Sequence, residues 1–281
     1  MSCRVLCLDG GGIRGVFQAQ LLDRLRAYIG RIDLIVGVSV GALNGIVFSE
    51  GKLRNLDVLS LPNAKKIFDK SVTDKIFGEF QFQPVYTGSG RAEVIESNIF
   101  AKFMGDLPIP MAIVTYDLTA NQTKVFKSWD DHKALLYDVA MATSAAPIYF
   151  PPYKMGNHIF LDGGIAINNP SLLGMALGKE LFPNLSVKVL SIGAESYPEM
   201  ARGTNVEKFG SIQWIAAGLY SRMISEDSIM QSSIAEKLLG DQYLRVNRQT
   251  NIETDQVDAY DYLVRMGREV DITPIIRFLN E

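Results

Sequence analysis

Apolar positions along this chain follow two periods, and their alternation sketches an architecture. Residues 4–8 (Arg-Val-Leu-Cys-Leu) form a short apolar run broken by Asp9-Gly10-Gly11-Gly12. That is the pattern of a strand buried on both faces of a parallel sheet. Beyond Gly15 the period changes: Val16, Phe17, Leu21, Leu22 and Leu25 recur at helical spacing and predict a helix ending near residues 29–30. A second apolar run starts at Ile32 and ends in Gly37-Val38-Ser39-Val40-Gly41, after which Ala42, Leu43, Ile46 and Val47 resume a helical pattern. Strand, glycine loop, helix, strand, serine turn, helix is the opening of a parallel sheet with helices on its faces.

The pattern loosens over residues 53–86. Lys65, Lys66, Lys70 and Lys75 interleave with Ile67, Phe68, Val72, Ile76 and Phe77, and Phe80, Phe82 and Tyr86 follow. Phe68, Val72 and Ile76 at helical spacing predict an amphipathic segment with a basic flank. It reads either as core packing with a solvated face or as a surface for anionic lipid. Further on, the pattern predicts a helix over 91–103, paired strands over 112–116 and 123–126, and a helix over 135–142 stopped by Ser144-Ala145-Ala146-Pro147. A short strand over 159–161 delivers Asp162-Gly163-Gly164. Asn169 as N-cap and Pro170 at the first helical position open a helix through residue 181, and 187–192 is a buried strand. A long helical stretch over 206–239, a strand near 243–246 and a last helix from Pro274 complete the chain. With no linker, repeat or low-complexity tract, one domain over 1–281 is expected, its motif-bearing part at about 4–193 and a helical part at about 205–281 completing it.

Composition narrows the function. A net charge of −3 over 281 residues gives no electrostatic case for binding nucleic acid. Cys3 and Cys7 would lie ~13 Å apart along a strand, too far for a disulfide. Free thiols suit a reducing compartment. Arg4 interrupts any signal-peptide core, and no apolar run approaches the ~20 residues of a membrane span. The expected setting is cytoplasmic, with at most peripheral membrane contact.

Three stretches carry chemistry. In Gly10-Gly11-Gly12-Ile13-Arg14-Gly15, consecutive glycines between strand and helix aim backbone N–H groups at one centre, an anion pocket. Such a pocket serves as an oxyanion hole in acyl transfer or holds pyrophosphate in a dinucleotide enzyme. The second use needs an acid at the end of the second strand, and there the chain has Gly37-Val38-Ser39 instead; Asp33 lies at that strand's start. Ser39 itself sits between Gly37 and Gly41 on a strand-to-helix turn, which drives a hydroxyl out at the tip; the bland alternative is a helix N-cap. The serine needs a base. His132 lies in a polar loop, and His158 stands four residues before Asp162, so a Ser-Asp-His triad could be drawn from Ser39, Asp117 or Asp131, and His158. Against it, the α/β-hydrolase elbow follows several earlier strands, whereas Ser39 follows only the second. Asp162, before Gly163 and Gly164, is either a turn residue or an acid projecting into a cleft. To accept a proton from Ser39 it must be desolvated, because an ordinary Asp titrates at about 3.9.

Asp9-Gly10-Gly11-Gly12-Ile13-Arg14-Gly15, Gly37-Val38-Ser39-Val40-Gly41 and Asp162-Gly163-Gly164, in this order, resemble the patatin-like phospholipase family, as do the Ser-Ala-Ala-Pro and Asn-Asn-Pro segments. The resemblance implies a three-layer α/β/α sandwich with a mainly parallel central sheet, like the catalytic domains of patatin and cytosolic phospholipase A2. It implies Ser39 as nucleophile and Asp162 as base without histidine, with Gly10, Gly11, Gly12 and Arg14 as oxyanion hole. Gly15, Gly37, Gly41, Gly163 and Gly164 belong to the same motifs. Activity would be phospholipase A-type hydrolysis of lipid esters met at a membrane surface, with no cofactor or metal and no nucleic acid partner. A homo-oligomer or regulatory partner is left open. The alternatives are a nucleotide-binding module on residues 10–15 and a Ser-Asp-His esterase using His158. Access for acyl chains is expected from Phe77 to Tyr86 or from Trp214 to Met223.

Overall fold

The first apolar run becomes the heart of a sheet. In a computed structural model describing residues 2–28, 30–51, 57–69, 84–196, 210 and 218–281, β1 (Ser2–Leu8) lies between β2 (Leu34–Val38) and β7 (Ser186–Ser196), parallel to both. Its side chains alternate between two buried faces: Leu6 and Leu8 join one core, Cys3, Val5 and Cys7 the other. This explains the uninterrupted apolar run, since neither face meets water. Both cysteines are free and buried.

Eight strands form one sheet in the order β5-β6-β3-β2-β1-β7-β8, with β4 paired to β3. Here β3 is Met111–Asp117, β4 Gln122–Lys127, β5 Tyr153–Met155, β6 His158–Asp162 and β8 Tyr243–Thr250. The four pairings among β3, β2, β1, β7 and β8 are parallel; β4, β5 and β6 pair antiparallel at one side. On one face lie α1 (Gly15–Leu25), α2 (Val40–Ser49), α3 (Leu61–Ile67), α4 (Ser89–Asn98) and α5 (Leu136–Thr143). The other face carries α6 (Ser171–Leu181) and α7 (Leu219–Leu239). The last helices, α8 (Tyr260–Arg268) and α9 (Thr273–Asn280), return to the first face. The three-layer sandwich with a mainly parallel sheet is therefore observed.

Several expectations shift. α4 stops at Asn98, five residues short, and Asn98 Nδ2 donates back to the Val94 carbonyl. α6 begins one residue later than expected, with Asn169 Oδ1 accepting the Ser171 N–H at 3.0 Å. The three-residue β5 and the helix α8 had no counterpart in the sequence reading. Val72, Ile76, Phe77, Phe80, Phe82, Trp214 and Ile215, on which the amphipathic and lipid-access readings rested, lie outside the described residues, as does the start of the long helix. No helix among the described residues is long and apolar enough to cross a membrane.

Candidate active site

Strand register brings Ser39 and Asp162 together. β4 occupies one edge of β3 from Ala112 to Asp117. The other edge is shared: β2 pairs as far as Val38↔Val114, and β6 takes over at Thr115↔Asp162. Because β2 runs parallel to β3 and β6 antiparallel, the two strands meet head to head. Ser39 would next fall opposite Thr115, a place Asp162 already holds, so the chain must leave the sheet there. It does so with φ 52° and ψ −127°, a strained conformation for a side chain-bearing residue. Gly41 makes this turn possible: a Cβ there would lie 2.4–2.6 Å from backbone atoms of Leu8 and Asp9. Gly37 is equally tight against Ala42, Gly15 against Val40, and Gly163 against the Val114 carbonyl. Ser39 occupies the N-cap position of α2, yet its side chain makes no capping hydrogen bond, so the bland cap reading fails.

Three consecutive residues hold the pair from behind. Thr143 Oγ1 accepts the Ser39 N–H at 2.9 Å and donates to the Val114 carbonyl at 2.6 Å. The Ala145 carbonyl accepts the Asp162 N–H at 3.0 Å. Between them, the Ser144 carbonyl accepts from Arg91 Nη1. Arg91 is buried, and its guanidinium stacks 4.5 Å from the Phe150 ring centre.

The Asp162 carboxyl is 4% exposed and accepts the Gly164 N–H at 2.7 Å. Burial pushes its pKa up to about 6, against the opposing pull of the Ser39 hydroxyl, the Gly164 N–H and the Arg91 charge. The desolvation that the sequence reading required is therefore present. Around the pair opens an apolar cleft, continuous with solvent, whose walls include Leu43, Phe68, Phe150, Tyr220 and Ile224.

The glycine loop departs from expectation in two ways. The Gly10 N–H donates to the Asn168 carbonyl at 3.2 Å, so Gly10 cannot donate to an oxyanion. Its part is close approach: a Cβ would sit 2.5 Å from Asn168 Oδ1. Arg14 lines the cleft, but Nε and Nη1 are committed at 2.9 Å to the Ala194 and Ile252 carbonyls. That leaves the Gly11 and Gly12 amides, both lining the cleft and unpaired among the described residues. Gly12 has φ 57°, and a Cβ there would meet the Thr254 carbonyl at 2.3 Å. Two free amides are too few to cradle a pyrophosphate, and a carboxylate at the cleft floor repels one; the nucleotide reading is overturned on these grounds.

The histidine triad fails as well. His158 Nδ1 does pair with Asp117 Oδ2 at 2.6 Å, but at the far end of β6, ~13 Å along the strand from Asp162. His132 is exposed. No group of three or more His, Cys, Asp or Glu converges as metal ligands would among the described residues. Sequence reasoning missed Arg91, Thr143 and Asn168 as site residues. The only local signals were that Thr143 stands before the Ser-Ala-Ala-Pro segment and that Asn168 opens the Asn-Asn-Pro segment.

A strained serine facing a desolvated carboxylate under an apolar cleft defines the class of a serine lipid hydrolase. The chain belongs to the patatin-like phospholipase family, whose model matches residues 6–173, more than half of the chain and inclusive of both Ser39 and Asp162. It is 28% identical over 274 residues to a cGAMP-activated phospholipase of Pseudomonas aeruginosa, covering 92% of this chain and 82% of that one. A cGAMP-activated phospholipase of Escherichia coli is 32% identical over 194 residues; the match covers 61% of this chain and 54% of that protein. Patatin-2-Kuras 3 of Solanum tuberosum is 25% identical, with 96% and 84% covered.

Proposed function

We propose that this lipid acyl hydrolase cleaves carboxylic esters of phospholipids or related lipids through a Ser39–Asp162 dyad. Asp162 takes the Ser39 proton as Oγ attacks the ester carbonyl. The developing oxyanion is met by the Gly11 and Gly12 N–H groups, each worth about 3 kcal/mol in such sites. Collapse of the tetrahedral intermediate expels the alcohol, which leaves with the proton held on Asp162. Water then attacks the acyl-enzyme as Asp162 takes its proton, and collapse releases the fatty acid while Asp162 returns that proton to Ser39 Oγ. Arg14 braces the loop through its two carbonyl contacts; burial lowers its pKa to about 10, so it stays charged at neutral pH. The substrate is met at a membrane surface by peripheral contact.

The observation that carries this reading is the Ser39 hydroxyl beside a buried Asp162 whose pKa of about 6 suits a base at neutral pH. The test is mass spectrometry of a mixed lipid extract treated with wild type or Ser39→Ala, together with fluorophosphonate labelling. Because the bacterial relatives are named for activation by cGAMP, both assays run with and without it. Fatty acid release and labelling lost in Ser39→Ala support the dyad. Wild type inert towards phospholipids and short-chain esters under both conditions, and unlabelled at Ser39, refutes it.

A further inference from the structure

α7 buries Ser225, Ser228 and Ala235 against the molecule, and Asp227 on its flank accepts the Asn168 N–H at 2.7 Å. Its outward face is not polar. Leu219, Met223, Met230, Ile234 and Leu238 all stand exposed, Met223, Met230 and Leu238 by more than 60%. At 100° per residue these five fall within an arc of about 100°, a continuous stripe along a helix about 31 Å long. Exposed large apolar side chains scattered singly need no explanation; five on one helix face do.

We propose that this face docks a second copy of the chain, two α7 helices packing antiparallel about a two-fold axis between residues 231 and 232. The charges on the stripe select this occupant. Three charged residues lie within the same arc or at its edge: Asp227, whose carboxylate is taken up by the Asn168 N–H and Gln231 Nε2, and Glu226 and Lys237, which are both exposed. Glu226 and Lys237 are equidistant from the midpoint of 231 and 232, about 8 Å along the axis on either side. An antiparallel pair therefore sets each Glu226 against the partner's Lys237, twice by symmetry, and Met230 and Ile234 of both copies meet at the axis. A bilayer would instead have to receive the Glu226 carboxylate without a partner. One helix pair is a small interface, below the standard ~1,600 Å², so a dissociation constant in the micromolar range is expected. The inference is independent of the reaction chemistry.

The test is sedimentation velocity of the intact chain from about 1 to 100 µM, with circular dichroism to verify folding. The wild type is expected to dimerise and Met230→Arg to stay monomeric. Glu226→Lys and Lys237→Glu are each expected to weaken the dimer roughly tenfold by setting like charges together, and the double reversal to restore it. A wild type monomeric throughout overturns the proposal. So does a dimer unaffected by Met230→Arg, or a double reversal weaker than either single change. Vesicle binding by a monomeric wild type that Met230→Arg abolishes would assign the stripe to lipid and overturn it equally.

Discussion

Asp9-Gly10-Gly11 and Asp162-Gly163-Gly164 are the same tripeptide at the ends of two strands, and they do different work. Both carboxyls are buried, and burial pushes both upward. Asp9 is gripped by Arg245, whose Nη1 and Nη2 reach its two oxygens at 2.9 and 2.5 Å and which also binds Glu195 and Ser191. Asp162 has one backbone donor and the Ser39 hydroxyl, while Arg91, the cation that acts on it, is held by Ser144. A carboxylate matched by a forked guanidinium is fixed in place as scaffold, although burial raises the pKa of Asp9 to about 6 as it does that of Asp162. One held only by weak donors can take up and release a proton. The difference between scaffold and base lies in what faces each carboxylate.

The comparison breaks most visibly at Asp162. Asp162→Asn keeps the shape and the Gly164 contact but removes the base; kcat on a short-chain ester should fall at least about 10³-fold, with the thermal midpoint unchanged or raised. Asp9→Asn should do the reverse. It strips Arg245 of a partner and costs about 3 kcal/mol in urea unfolding, with kcat of the folded protein reduced less than tenfold. Burial raises both carboxyls to about 6, so the pH dependence that singles out Asp162 is that of activity. With Asp162 at about 6, kcat/KM should drop about tenfold per pH unit below that value and level off above it. Stability should run the other way. The folded carboxyl holds a proton that the unfolded chain releases near 3.9, so the contribution of Asp162 to stability falls as pH rises from about 4 to about 6. A urea midpoint that instead climbed steadily over this window in wild type but not in Asp162→Asn would contradict the assignment.

Smaller effects test what holds the pair. Thr143→Val leaves the Ser39 N–H unpaired in the interior; kcat should fall roughly tenfold at unchanged KM, and Thr143→Ser should restore it. His158→Ala should leave activity within about twofold, because its contact with Asp117 is half exposed and at the wrong end of β6. A larger loss would return histidine to the reaction.

Much of this was legible from the chain. The two-face burial of β1 and β2 follows from unbroken apolar runs, and the serine turn and glycine loop announce themselves because strained or crowded backbone demands glycine locally. β5 is too short for a periodic signal. α8 presents only a narrow apolar stripe around Leu263 and Met266, too short a pattern to stand out from the flanking polar residues. Gly10 was read as an oxyanion donor because its residue type permits it; that its amide is spent on Asn168, more than 150 residues away, is a tertiary fact.

The sequence by itself determined most of the order of elements, the place of Ser39 on a strand-to-helix turn and the family resemblance, since each depends on residues adjacent in the chain. The resemblance already implied Asp162 as the base; only the tertiary structure decided how that carboxyl reaches the serine. β2 and β6 share one edge of β3 and end against each other there, and register between distant strands is set by packing, not by local pattern.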